Sequence, residues 1–144
     1  MHKLTIAVAA CALLCLPAFG AKKVVHPKEF PKGRPFSPGI LVGNTLYVAG
    51  QIGQDLKTGK VPADFAAEVR QTLDNIGLIL KEAGFSFDDV VSVNVYLTDM
   101  SQFAKMNEVY NTYFKDPRPV RTTVGTPALA GGSAHIEITV TAAK

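Results

Sequence analysis

Two residues in the last quarter of the chain, Arg121 and Glu137, have types that could do chemistry together. A guanidinium offers a planar fork of N–H donors that matches a carboxylate, and a carboxylate can orient a water or move a proton. Residues 120–124 and 136–141 both read as strands, so their side chains alternate between two faces. That alternation puts Arg121 and Thr123 on one face with Glu137, Thr139 and Thr141, and residues 126–134 form a loop long enough to make the strands neighbours. An Arg and a Glu converging on a half-buried face have two readings. One is an ordinary salt bridge. The other is an arginine gripping a substrate carboxylate while the glutamate handles protons.

Other reactive types are scattered. On a regular strand His135 would share the face of Glu137, which allows a catalytic role. The adjoining loop, Gly131-Gly132-Ser133-Ala134, makes it a strand-end residue near solvent. His26 lies in a Lys- and Pro-rich stretch far from His135, and with no cysteine in the chain after residue 20 the two give no metal-ligand cluster. Arg118, flanked by Pro117 and Pro119, reads as a solvated turn residue. No Ser-His-Asp set is visible, and Asp99 before Ser101 reads as helix capping.

The elements that must position these residues follow from periodicity. Residues 40–42 and 45–52 are apolar runs flanking Gly43-Asn44, which predicts a hairpin. Asp55 to Pro62 is a polar loop. Phe65, Val69, Leu73, Ile76 and Leu80 recur at steps of four and three, which predicts a helix with Asp64 at its start and Gly84 at its end. Val91, Val93, Val95 and Leu97 alternate with Ser92, Asn94, Tyr96 and Thr98, a strand with one apolar face. A second helix carries Phe103, Met106, Val109, Tyr110 and Tyr113 and is capped by Asp99 or Ser101. Pro117 and Pro119 stop it. Ile136, Ile138 and Val140 alternate with polar residues in the last strand.

The expected fold class is α+β, a mixed sheet with two helices packed on one face. The opposite face would carry Tyr47, Ala49, Gln51, Ser92, Asn94, Tyr96, Arg121, Thr123 and Glu137. It is half polar yet poor in charge, which suggests burial against a second subunit with a small wet pocket left over.

The chain has 144 residues, enough for one ordinary domain. Hydrophobic residues make up 47% and charged residues 19%, which excludes a disordered chain. Fifteen basic against 12 acidic residues give a formal charge of +3, too small and too scattered for a dedicated nucleic-acid surface. The first 20 residues read as a secretory signal. His2 and Lys3 precede an apolar stretch over residues 4–16, Pro17 breaks it, and Ala18-Phe19-Gly20 offers small residues for cleavage after Gly20. The stretch is too short to cross a bilayer, which takes ~20 apolar residues. A lipoprotein site at Val8-Ala9-Ala10-Cys11 is the alternative, although apolar sequence continues past Cys11. Cleavage after Gly20 removes Cys11 and Cys15, the only cysteines. The expected organisation is a signal at 1–20, a lead-in segment at 21–36 and one domain at 37–144. The protein would be secreted or periplasmic, with no membrane attachment after cleavage.

Taken together, these residues resemble the RidA/YjgF family. The resemblance rests on Val48-Ala49-Gly50-Gln51-Ile52, Thr58-Gly59-Lys60-Val61, Gln71-Thr72-Leu73-Asp74-Asn75-Ile76, the run Phe103-Ala104-Lys105-Met106-Asn107-Glu108-Val109-Tyr110, Pro119-Val120-Arg121-Thr122-Thr123-Val124 and Ile136-Glu137-Ile138. It implies a chorismate-mutase-like fold and a homotrimer with pockets between subunits. It also implies hydrolysis of 2-imino acids to 2-keto acids and ammonia, without metal or organic cofactor. In that family pattern Arg121 matches the carboxylate-holding arginine and Glu137 the acid associated with the catalytic water. Gly50 and Asn107 match pocket-lining positions. Phe36 stands where many members have Tyr, Thr123 where many have Cys, and Ala49 where many have Ser. Two rival readings use the same residues differently: a non-catalytic trimer that binds small carboxylates or proteins in the same pocket, and a ribonuclease. The small net charge and the lack of a His/Lys acid–base cluster speak against the ribonuclease.

Overall fold

The computed structural model describes residues 20–130 and 132–144; the expected signal at 1–20, with both cysteines, lies outside the described residues, save Gly20. Strands β1 (Lys23–Val25), β2 (Gly39–Val42), β3 (Thr45–Ile52), β4 (Val90–Leu97), β5 (Val120–Gly125) and β6 (Ile136–Ala143) form a single sheet in the order β1-β2-β3-β6-β4-β5. Helices α1 (Phe65–Glu82) and α2 (Phe103–Tyr113) pack side by side on one face of it. All strand pairs are antiparallel except β4 with β5, which run parallel. This is the mixed-sheet α+β fold that the sequence predicts.

Local chemistry accounts for the element ends. Asp64 caps α1, its carboxylate accepting from the backbone N–H of Ala67 at 2.8 Å. The stripe Val69, Leu73, Ile76 and Leu80, joined by Ile79, is fully buried against the sheet. The β2–β3 hairpin turns on Gly43 and Asn44 alone, and Gly43 has the positive φ (+55°) that a two-residue turn with the sheet's twist requires. Asp99 caps the short 3₁₀ turn Met100–Gln102 ahead of α2 by accepting from the Ser101 N–H at 2.8 Å. Leu46, Val48, Val93, Val95, Leu97, Ile136, Ile138 and Val140 supply the sheet's side of the core.

The structure departs from the sequence reading in five places. The strands of Arg121 and Glu137 are not neighbours, because β4 lies between β6 and β5. The lead-in belongs to the fold: Lys23–Val25 pairs with β2, and Val25 and Phe30 are buried in the core. Three residues are too few to show an alternation. Gln51 is buried rather than on the open face, because β3 bulges between Val48 and Gln51 and the alternation slips by one. Val91 is exposed and Val90 takes its core position, because β4 has its own irregularity between Val90 and Ser92. The fifth departure matters most for function. Parallel pairing sets Arg121 beside Val93 and Thr123 beside Val95, and both valines are fully buried on the helix side. Arg121 and Thr123 therefore face the helices, while Val120, Thr122 and Val124 look out from the open face.

Candidate active site

Glu137 does remain on the open face, between the core residues Ile136 and Ile138. Within one chain the arginine and the glutamate thus sit on opposite sides of the sheet. The expectation that they share a face is overturned, and so is the salt bridge between them. Among the described residues Arg121 makes no ion pair at all.

Arg121 is instead mounted on aromatic rings of α2. Its guanidinium carbon lies 4.6 Å from the ring centre of Tyr110 and 5.7 Å from that of Phe103. Its Nη1 approaches Met106 Sδ at 4.0 Å. Such stacking holds the planar fork in place without neutralising it. The fork borders a cavity of about 460 Å³ that is also lined by Asn107, Tyr110, Asn111, Arg118 and Pro119. Thr123 follows two residues along the same side of β5. The hydroxyls of Tyr110 and Thr123 are buried without a hydrogen-bond partner among the described residues, a costly arrangement that a bound polar molecule or water relieves. Burial pushes the Tyr110 phenol up, and the charges of Arg121 and Arg118 pull against it. Arg118 is thus not only a solvated turn residue: it pairs with exposed Asp116 at 3.4 Å and also lines this cavity.

The second cluster is built around Glu137. A cavity of about 320 Å³ is lined by Arg34, Phe36, Gly50, Ile52, Gln54, Ala130 and Glu137. The β3 bulge turns Gly50 toward Glu137, and a Cβ at position 50 would fall on the glutamate's carboxyl group, with Cδ only 2.9 Å away. Glycine is what lets the carboxylate lie flat on the strand. The Phe36 ring is half exposed, with Arg34 above it at 5.8 Å. The six candidate residues therefore fall into two groups: Asn107, Arg121 and Thr123 on the helix side, and Phe36, Gly50 and Glu137 on the open side. Arg34 is a residue that sequence reasoning missed; it stands in a stretch without periodicity, and only its approach to Phe36 reveals it.

A third feature also escaped the sequence. Glu68, on the first turn of α1, is completely buried. Its carboxylate accepts from the backbone N–H of His135 at 2.6 Å and of Ile136 at 3.3 Å, and pairs with His135 Nδ1 at 2.9 Å. The backbone of Gly53, just past the end of β3, lies against it. His135 is thus held by Glu68 at the start of β6, its ring still reaching solvent. Among the described residues no cluster of His, Cys, Asp and Glu could hold a metal ion.

Comparison with known proteins agrees with this architecture. Residues 27–144 match the family model described as Endoribonuclease L-PSP. A RutC family protein of Sulfurisphaera tokodaii is 49% identical over 124 residues, covering 85% of this chain and 98% of its own. The 2-iminobutanoate/2-iminopropanoate deaminase of Rattus norvegicus is 42% identical over 119 residues, covering 81% and 86%. The crystal structure of the YjgF gene product of E. coli superposes with a TM-score of 0.79 at 34% identity, covering 85% of this chain and 98% of that one.

Proposed function

Since the chain belongs to the endoribonuclease L-PSP family, which includes RidA and YjgF proteins, we propose that it hydrolyses 2-imino acids to 2-keto acids and ammonia. The observation that carries this reading is Arg121: a guanidinium braced by two aromatic rings, facing a cavity and without a carboxylate partner among the described residues. Such a group is poised for an anionic ligand. A bidentate contact with a substrate carboxylate supplies roughly 1.5–3 kcal/mol per charge-assisted bond. Asn107 and the free hydroxyls of Tyr110 and Thr123 offer further polar contacts.

The reaction asks little more of the protein. Water adds to the carbon of the protonated C=N group and forms a carbinolamine. A proton moves from the oxygen to the nitrogen, the C–N bond breaks, and ammonia leaves a keto group behind. Glu137 is suited to hold the water and to carry that proton. Because Arg121 and Glu137 lie on opposite faces, the complete site needs two copies of the chain. One copy supplies the Arg121 cavity and the next supplies Glu137, Gly50 and Phe36. We take the assembly to be a homotrimer. The open sheet face supports it: Tyr47, Tyr96, Val120 and Val124 are exposed there, with nothing among the described residues to cover them. Export by the signal-like residues 1–20, with cleavage after Gly20, belongs to the same proposal.

The ribonuclease named in the family's description has less support, because neither cavity is lined by the histidine or lysine that acid–base cleavage of RNA would use. The deciding assay makes 2-iminopropanoate or 2-iminobutanoate in situ with an amino-acid oxidase and follows imine decay. Acceleration by the protein supports the deaminase. Binding of 2-oxobutanoate without acceleration would leave only a carboxylate-binding module.

A further inference from the structure

Two arginines, not one, border the helix-side cavity. Arg121 carries the proposed carboxylate clamp, and Arg118 lines the same wall from the turn before β5. We propose that Arg118 is a specificity-determining residue that selects 2-imino acids bearing a second carboxylate on their side chain. The inference rests on the deaminase reading for its chemistry, but not for its geometry.

Charge and reach support it. A substrate with one carboxylate uses one guanidinium and leaves the second cation in the cavity without an anion. Among the described residues Arg118 has a partner only in Asp116, through a single 3.4 Å contact in which the acid side chain is 87% exposed. An exposed pair of that kind contributes little and exchanges readily. Three residues of extended chain separate the two arginine backbones by at most about 10 Å, and both side chains are long and flexible. Both charges also act on the Tyr110 phenol at the cavity wall. The rest of the lining sets the amides of Asn107 and Asn111 beside the arginines, together with Tyr110 and Pro119. A cavity of about 460 Å³ has room for a four- or five-carbon diacid, and its cationic, amide-lined wall offers a second carboxylate more than it offers an aliphatic tail.

The test compares two keto acids of equal length, 2-oxoglutarate and 2-oxopentanoate, by equilibrium titration of the full chain. The expected result is at least tenfold tighter binding of the diacid, with a ratio that falls toward one in Arg118→Gln. Arg118 is exposed on a turn, so this variant keeps the fold. Lys57→Gln removes a surface charge outside the cavity and should keep the ratio. A wild-type ratio below tenfold, a ratio that survives in Arg118→Gln, or one lost equally in Lys57→Gln overturns the proposal. A parallel assay on the imine of glutamate, whose side chain carries the second carboxylate, separates the two readings: if the protein does not hasten its decay, the deaminase reading fails while the titration still decides the role of Arg118.

Discussion

At the scale of single residues, the two faces of the sheet divide the chemistry and make its parts separable. Among the described residues Arg121 touches rings and a thioether but no acid, so Arg121→Ala removes the proposed carboxylate clamp without stranding a buried partner. The expected outcome is loss of imine hydrolysis by 10²-fold or more, with an unchanged oligomeric state on light scattering. Arg121→Lys should recover little, since an ammonium cannot reproduce the fork or its stacking. Full activity in Arg121→Ala would place the clamp elsewhere. For Glu137 the structure removes one possibility that the sequence left open. It does not neutralise Arg121 in its own chain, and in the proposed shared site the partner of Arg121 is the substrate carboxylate, so Glu137→Gln should leave the thermal melt nearly unchanged. Turnover should fall by roughly 10²–10⁴-fold, the scale of a lost general acid–base. A large drop in melting temperature with normal turnover would return Glu137 to a structural role. The types and spacing of Arg121 and Glu137 were legible from the sequence; their relation in space was not. Alternation along a strand says which residues share a face, but not which face meets the helices. Val120 and Val124 look like core residues only if their side is the covered one.

At the scale of elements, the helices and the hairpin were readable because each carries its own local signal: the four- and three-residue steps of α1, the Asp64 cap, the Gly43-Asn44 turn. What was not readable depends on contacts between distant segments. The bulge in β3 that buries Gln51 and turns Gly50 toward Glu137 leaves only a glycine as a trace. Glu68 reads as one more acid on a helix, yet it ties α1 to the start of β6, two residues before Glu137. Glu68→Ala would orphan two backbone N–H groups beside a cavity, at a cost of roughly 3 kcal/mol. Glu68→Gln, which keeps an acceptor, should cost clearly less; equal losses in paired thermal melts would deny the carboxylate this anchoring part. The capping acids add a pH dependence. Backbone N–H donors, Thr58 for Asp55, Ala67 for Asp64 and Ser86 for Asp89, hold these carboxyls below their ordinary range, and Asp99 is held down by its hydrogen bonds to Ser101. Their folded pKa values lie below the unfolded ones. The stability they contribute is therefore fully present above about pH 4 and is lost as pH falls through the folded values. Melting temperature should drop across that acid range, and the drop should be smaller in Asp64→Asn. A flat profile below pH 4 would contradict this assignment.

At the scale of the whole molecule, an open sheet face and a divided site point to the same assembly. The proposed half-sites of Arg121 and Glu137 become one site only when different patches of two copies meet, and a closed ring of copies satisfies every such patch. Light scattering should then give three times the monomer mass, and Val120→Asp on the open face should lower both mass and activity although it touches neither cavity. Mixing gives the sharper measurement. Arg121→Ala chains keep an intact Glu137, and Glu137→Gln chains keep an intact Arg121. When the two inactive variants are unfolded together and refolded at equal amounts, chance pairing puts both intact residues at about one quarter of the sites in a ring of copies. Imine hydrolysis should reappear at about that fraction of the wild-type rate, while each variant refolded alone stays inactive. If each site were completed within a single chain, every site in the mixture would still carry one defect. A mixture no more active than its components would then refute the shared site, and with it the reason for reading the exposed sheet face as a subunit interface.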